Sequence, residues 1–150
     1  MLGFEPPSDY VWENVEVKEL PSGCRPKNKD MVDVKRDGNC LPRTIALAVT
    51  GRQEPDCFLF RGLVVDLLRQ KGEDVTDIEE NRKWMSTREI LGYSELLDVP
   101  IYSCAEYPEG AGNWQYHRFW HAKGEPPEGT GAIFIANIPT MNHFQLVLRV

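Results

Sequence analysis

Asp37-Gly38-Asn39-Cys40-Leu41 is the stretch from which the rest of the chain is read. It sets a cysteine behind a turn and at the head of an apolar segment, Thr44-Ile45-Ala46-Leu47-Ala48-Val49. Pro42 would break a helix interior, but a first turn tolerates it because the N–H groups there have no intrahelical partner. The segment predicts a helix that begins near Cys40 and stops at Thr50-Gly51, a C-terminal glycine signal. A thiol at a helix N-terminus meets unpaired N–H groups and the positive end of the macrodipole. Both lower a cysteine pKa and favour thiolate, so Cys40 is expected to be a reactive nucleophile. The other cysteines have poorer settings: Cys57 within an apolar helix, Cys104 on an apolar strand, Cys24 in an irregular arm.

Composition narrows the classes of function. At 150 residues, 41% hydrophobic and 27% charged, the chain fits one soluble globular domain with a single core. A net charge of −6 provides no basic field, so neither nucleic acid nor an anionic membrane is expected as a partner. The four cysteines form no C-x-x-C pair, and the polar N-terminus reads as no signal peptide. A reducing cytoplasmic or nuclear setting follows as the expectation. His117 and His121 have the spacing of a zinc-finger histidine pair, but no cysteine pair precedes them, and no metal or other cofactor is expected.

Residues 1–30, with Pro6-Pro7, Pro21-Ser22-Gly23 and Pro26, read as an N-terminal arm of short extended pieces packing on a domain of residues 31–150. Met31-Val32-Asp33-Val34 alternates like a short strand feeding the Asp37 turn. A second helix is predicted from Pro55 to Gln70, with Phe60, Val64, Leu67 and Leu68 at helical spacing and Gly72 as its stop. Glu73 to Lys83 is charged and reads as a short exposed helical turn. Ser86-x-x-Glu89 has the form of a capping box, which predicts a third helix burying Ile90, Tyr93 and Leu97. Strands are predicted over 101–104, 114–120, 131–137 and 144–150. Helices first and strands last suggest an α+β fold, with helices packed on a small, mostly antiparallel sheet.

Thiol hydrolysis of an amide needs a nucleophile, a base that later protonates the leaving amine, a partner that orients this base, and N–H donors for the oxyanion. His143, at the mouth of the last apolar strand, suits the base better than His117 or His121 in a loop-rich stretch. A cysteine at an early helix and a histidine on a late strand is the layout of papain-like enzymes. Three residues compete to orient His143: Gln145, Asn142 and Asp37. Strand alternation favours Gln145, since side chains two apart share a face.

Asp37-Gly38-Asn39-Cys40-Leu41-Pro42-Arg43-Thr44 resembles the nucleophile motif of the ovarian-tumour (OTU) cysteine proteases, which generally reads Asp-Gly-Asn-Cys-Leu-Phe-Arg-Ala. Asn142-His143-Phe144 resembles that family's histidine motif, and Trp84 to Leu91 is similar to its Trp-Gly-x-x-x-Glu-Leu helix start. The three motifs occur in the family's order between residues 31 and 150. The resemblance implies the papain-like OTU fold, a small mostly antiparallel sheet packed between helices. It implies Cys40 as nucleophile and His143 as base, with an oxyanion hole from the Cys40 N–H and the turn at Asp37, Gly38 and Asn39. It also implies a deubiquitinase that cleaves after the C-terminal Gly-Gly of ubiquitin or a ubiquitin-like modifier, with polyubiquitin as a further partner. Trp114, Trp120 and Phe144 are then candidates to line the channel for those glycines. Two departures stand out: Pro42 replaces the usual Phe, and Gln145 stands where the family has Asp or Asn. The neutral Gln145 motivates an alternative, a catalytically weak pseudoenzyme that binds ubiquitin. A small-substrate amidase is a third reading, and no motif here resembles one.

Overall fold

The computed structural model describes residues 15–19, 31–80, 83–106, 114–138 and 143–148. In chain order the elements are strands β1 (Val15–Glu19) and β2 (Met31–Val32), then helices α1 (Cys40–Thr50), α2 (Asp56–Gln70) and α3 (Thr87–Leu97). Strands β3 (Ile101–Glu106), β4 (Trp114–Phe119), β5 (Ile133–Ile138) and β6 (His143–Val147) follow. The six strands form one sheet in the order β1-β4-β3-β5-β6-β2. Every neighbouring pair is antiparallel except β3 with β5, so the α+β fold with a mostly antiparallel sheet is as expected. The arm contributes more than loose extended pieces, because β1 pairs with β4 along its whole length at the sheet edge.

Local signals set the helix ends. Gly51 takes φ 80° and its N–H bonds to the Leu47 carbonyl, closing α1 where the glycine signal put it. At α3 both halves of the capping box form: Ser86 receives the backbone at the third helical position, and the Glu89 carboxylate accepts the Ser86 N–H at 2.9 Å. Such a cap contributes about 1 kcal/mol. The apolar faces of α1, α2 and α3 converge on a core containing Leu41, Ile45, Val64, Leu68, Ile90, Leu91 and Tyr93. The Tyr93 hydroxyl, wholly inside, donates to the Phe60 carbonyl at 3.0 Å. Helices α2 and α3 approach closely enough that a Cβ on Gly92 would sit 2.7 Å from Val64 Cγ2.

The charged segment after α2 departs from expectation. Among its described residues it makes turns, and Val75 and Ile78 are buried in the core. Two apolar side chains in an acidic stretch are a weak sequence signal, but they anchor the segment against the helices.

The strand that matters most is β6. It lies between β5 and β2, with Met31 opposite Val147 and Val32 opposite Leu146. Continuing that antiparallel register by one residue brings Asp33 alongside Gln145. β6 also packs against the start of α1, where the Thr44 hydroxyl lies 3.4 Å from the Phe144 carbonyl.

Candidate active site

Cys40 is the first residue of α1 and is 2% exposed. Its sulfur accepts from the backbone N–H of Phe144, the residue after His143. The cysteine thus bonds the residue next to His143, far away in sequence, where the α1 N-terminus abuts the start of β6.

The His143 side chain is fully buried. Its Nε2 lies 2.8 Å from Asp33 Oδ1. The same oxygen accepts the Gln145 side-chain amide at 3.0 Å and the Val34 N–H at 3.0 Å. A carboxylate only accepts, so the imidazole proton sits on Nε2 and the Nδ1 lone pair is left as the base. Nδ1 is buried and has no hydrogen-bond partner among the described residues. The bond from His143 holds the Asp33 carboxyl below its ordinary pKa against the opposing effect of burial, with Gln145 and then the charges of His143 and Arg36 assisting.

The partner of the imidazole is therefore a residue absent from the three expected ones. Gln145 does share a face with His143, as alternation required, but it bonds to the carboxylate and not to the ring. Asp37 points elsewhere: its carboxylate takes the Asn39 N–H at 2.9 Å and the Arg43 guanidinium at 3.2 and 3.0 Å. Asn142 lies outside the described residues. Asp33 was missed because its partner on β6 depends on strand pairing across the sheet. The available signal was an acidic residue interrupting Met31-Val32-Asp33-Val34.

The thiol also departs from expectation. Burial pushes Cys40 up to about 11, outweighing the backbone N–H groups of Phe144, Leu41 and Cys40 that favour thiolate. The nearby Asp37 charge raises it further. A helix N-terminus stabilises thiolate only where it offsets lost hydration, and this sulfur has almost no water. Cys40 in this state is a protonated thiol that needs a base.

In the turn before Cys40, three N–H groups are taken up internally. Asp37 N–H bonds to the Lys35 carbonyl, Asn39 N–H to the Asp37 carboxylate, and Cys40 N–H to the Asp37 carbonyl at 3.1 Å. Gly38 N–H alone of these four has no partner among the described residues. The Asn39 side chain ties the turn to Arg61, whose guanidinium donates to Asn39 Oδ1 at 3.2 Å.

The three aromatics expected along a channel are not gathered at the thiol. The Phe144 side chain is buried in the core, on the face of β6 opposite His143. Trp114 and Trp120 belong to β4 and its end, three strand positions from β6, about 14 Å across a sheet. Trp120 is buried with its ring edge against His121, 4.6 Å between centroids. His121 in turn bonds Asp98 at 2.7 Å. Among the described residues no group of three His, Cys, Asp or Glu side chains could hold a metal ion. No described helix is long and apolar enough to cross a membrane.

No protein-family model and no curated protein matches the sequence. The fold, by contrast, is shared with solved OTU domains. The viral OTU domain protease from Taggert virus is 18% identical with a TM-score of 0.68, covering 92% of this chain and 89% of its own. The Hazara virus OTU bound to ubiquitin is 14% identical with a TM-score of 0.70, covering 99% and 96%. The OTU domain of OTUD1 is 18% identical with a TM-score of 0.67, covering 78% and 83%. The chain has the OTU protease fold, the papain-like α+β arrangement that its motifs imply.

Proposed function

We propose that this protein is a cysteine protease that removes ubiquitin or a ubiquitin-like modifier by hydrolysing the isopeptide bond after the modifier's C-terminal Gly-Gly. The observation that carries this reading is the bond of His143 Nε2 to Asp33, which leaves a buried Nδ1, unpartnered among the described residues, on the residue before Phe144, whose N–H bonds the Cys40 sulfur. The solved OTU domain bound to ubiquitin supports the choice of substrate class.

In the proposed reaction, the Cys40 thiol proton passes to His143 Nδ1 as the sulfur attacks the isopeptide carbonyl. The Gly38 and Cys40 N–H groups receive the oxyanion, the latter exchanging its bond to the Asp37 carbonyl. The C–N bond breaks, the leaving lysine amine takes the proton from Nδ1, and a thioester of Cys40 remains. Water then gives a proton to Nδ1 and attacks the thioester, and His143 returns the proton to the departing sulfur. Asp33 stabilises each imidazolium through Nε2, as Gln145 alone could not, being neutral. The Asp33 carboxylate thus favours the enzyme over the pseudoenzyme reading that the neutral Gln145 motivated. A reducing cytoplasmic or nuclear setting accords with a catalytic free thiol.

The test is ubiquitin bearing a thiol-reactive electrophile at its C-terminus, followed by intact mass. One adduct on the wild-type protein, absent in Cys40→Ala, is expected. Ubiquitin binding without an adduct would instead support the pseudoenzyme.

A further inference from the structure

Arg61, in the middle of α2, is a cation only 5% exposed. No carboxylate lies within ion-pair distance of it among the described residues. Its partners are oxygens of two separate segments. Nη1 donates to the Gly38 carbonyl at 3.4 Å and Asn39 Oδ1 at 3.2 Å. Nη2 donates to the carbonyls of Ile78 at 2.9 Å, Glu80 at 2.7 Å and Lys83 at 2.6 Å. A buried charge is costly to desolvate, and an arginine held by neutral acceptors alone marks a place where the fork geometry is needed.

The Gly38–Asn39 peptide is gripped at both ends. Arg61 takes its carbonyl oxygen, and the Asp37 carboxylate takes its N–H. That peptide sits between the two N–H groups the proposed reaction uses, those of Gly38 and Cys40. Were it to flip, the Gly38 carbonyl would leave Arg61, and the N–H groups on either side would lose their aim.

Resting on the deubiquitinase reading for its catalytic consequence, we infer that Arg61 is a positioning residue, which clamps the Gly38–Asn39 peptide to the carbonyls of Ile78, Glu80 and Lys83 and so holds the oxyanion turn in shape. Arg61 touches no reacting atom. A lysine keeps the charge but is a point donor, unable to span both segments.

The test compares wild type with Arg61→Lys and with Asn39→Ala, which removes one turn contact and leaves the bonds to Ile78, Glu80 and Lys83. In both variants amide hydrogen exchange over residues 38–40 should quicken. On a fluorogenic ubiquitin C-terminal amide, kcat should fall about tenfold or more with KM within about twofold. Alkylation of Cys40 by iodoacetamide, which forms no oxyanion, should keep its wild-type rate. Unchanged exchange in both variants overturns the clamp, whatever the activity. Equal losses of alkylation and hydrolysis also overturn it, since general loosening would do that. A wild-type protein inert to ubiquitin whose variants still exchange faster would sink the deubiquitinase reading alone and leave the clamp standing.

Discussion

His143 Nε2 and Asp33 Oδ1 lie 2.8 Å apart across the β6–β2 edge of the sheet, although 110 positions separate them in the chain. Replacing Asp33 by Ala should therefore lower kcat on a ubiquitin substrate by about 100-fold, the usual scale of an oriented general base. Gln145→Ala, which removes only a second donor to the same carboxylate, should lower it less than about tenfold. Steady-state kinetics on the two variants would decide it. A wild-type kcat for Asp33→Ala would remove that residue from the mechanism.

The thiol pushed up to about 11 has a signature of its own. At pH 7 such a thiol is ionised to about one part in ten thousand, against a few per cent for an ordinary cysteine. Iodoacetamide should label Cys40 more slowly than free cysteine at pH 7 and accelerate about tenfold per pH unit up to pH 10. Fast labelling that is already flat below pH 7 would show a resting thiolate instead.

Two of the buried thiols also make stability depend on alkaline pH. Burial raises Cys40 to about 11 and Cys104 to about 12, both above the ordinary cysteine value. A raised acid gives stability that is whole below its unfolded pKa and is lost as pH rises through the folded one. The melting temperature should fall between about pH 9 and pH 12, and a flat profile there would contradict the burial.

At the acid end Asp37 behaves oppositely. Burial pushes its carboxyl up, but the bonds from Arg43 and the Asn39 N–H outweigh it, so its folded pKa is lowered. Stability from this group is present above its unfolded pKa near 3.8 and is lost as pH falls through the lower folded value. Asp37→Asn should flatten the loss of stability below about pH 4, read as melting temperature against pH.

Gly92→Ala tests the helix crossing. Alanine has the better helix propensity by about 1 kcal/mol, but its Cβ would meet Val64 Cγ2 at 2.7 Å. Val64 is fully buried and β-branched, so it cannot swing aside. A net destabilisation of about 1–2 kcal/mol is expected from chemical denaturation. A gain in stability would mean that α2 and α3 part more easily than their packing implies.

Much of this was legible along the chain because its causes are local. Gly51 ends α1 because a left-handed residue is needed there, and Ser86 with Glu89 starts α3 because their side chains reach only their own turn. What was not legible came from pairing and burial. Arg61 is a charged residue within the apolar pattern of α2, yet it is buried against two distant segments. Phe144 looked available to a substrate, but as the next residue after an active-face histidine it had to point to the other side of β6.

By itself the sequence determined the turn before Cys40, the last strand headed by His143 and the order of helices and strands from residue 31 onward, since these follow from residue type and short-range periodicity. Only the tertiary structure decided that Asp33 receives the imidazole and that Cys40 rests as a thiol. The first depends on the register by which β2 joins β6, the second on how much water the packed core leaves around one sulfur. Neither is a property of any stretch of chain read alone.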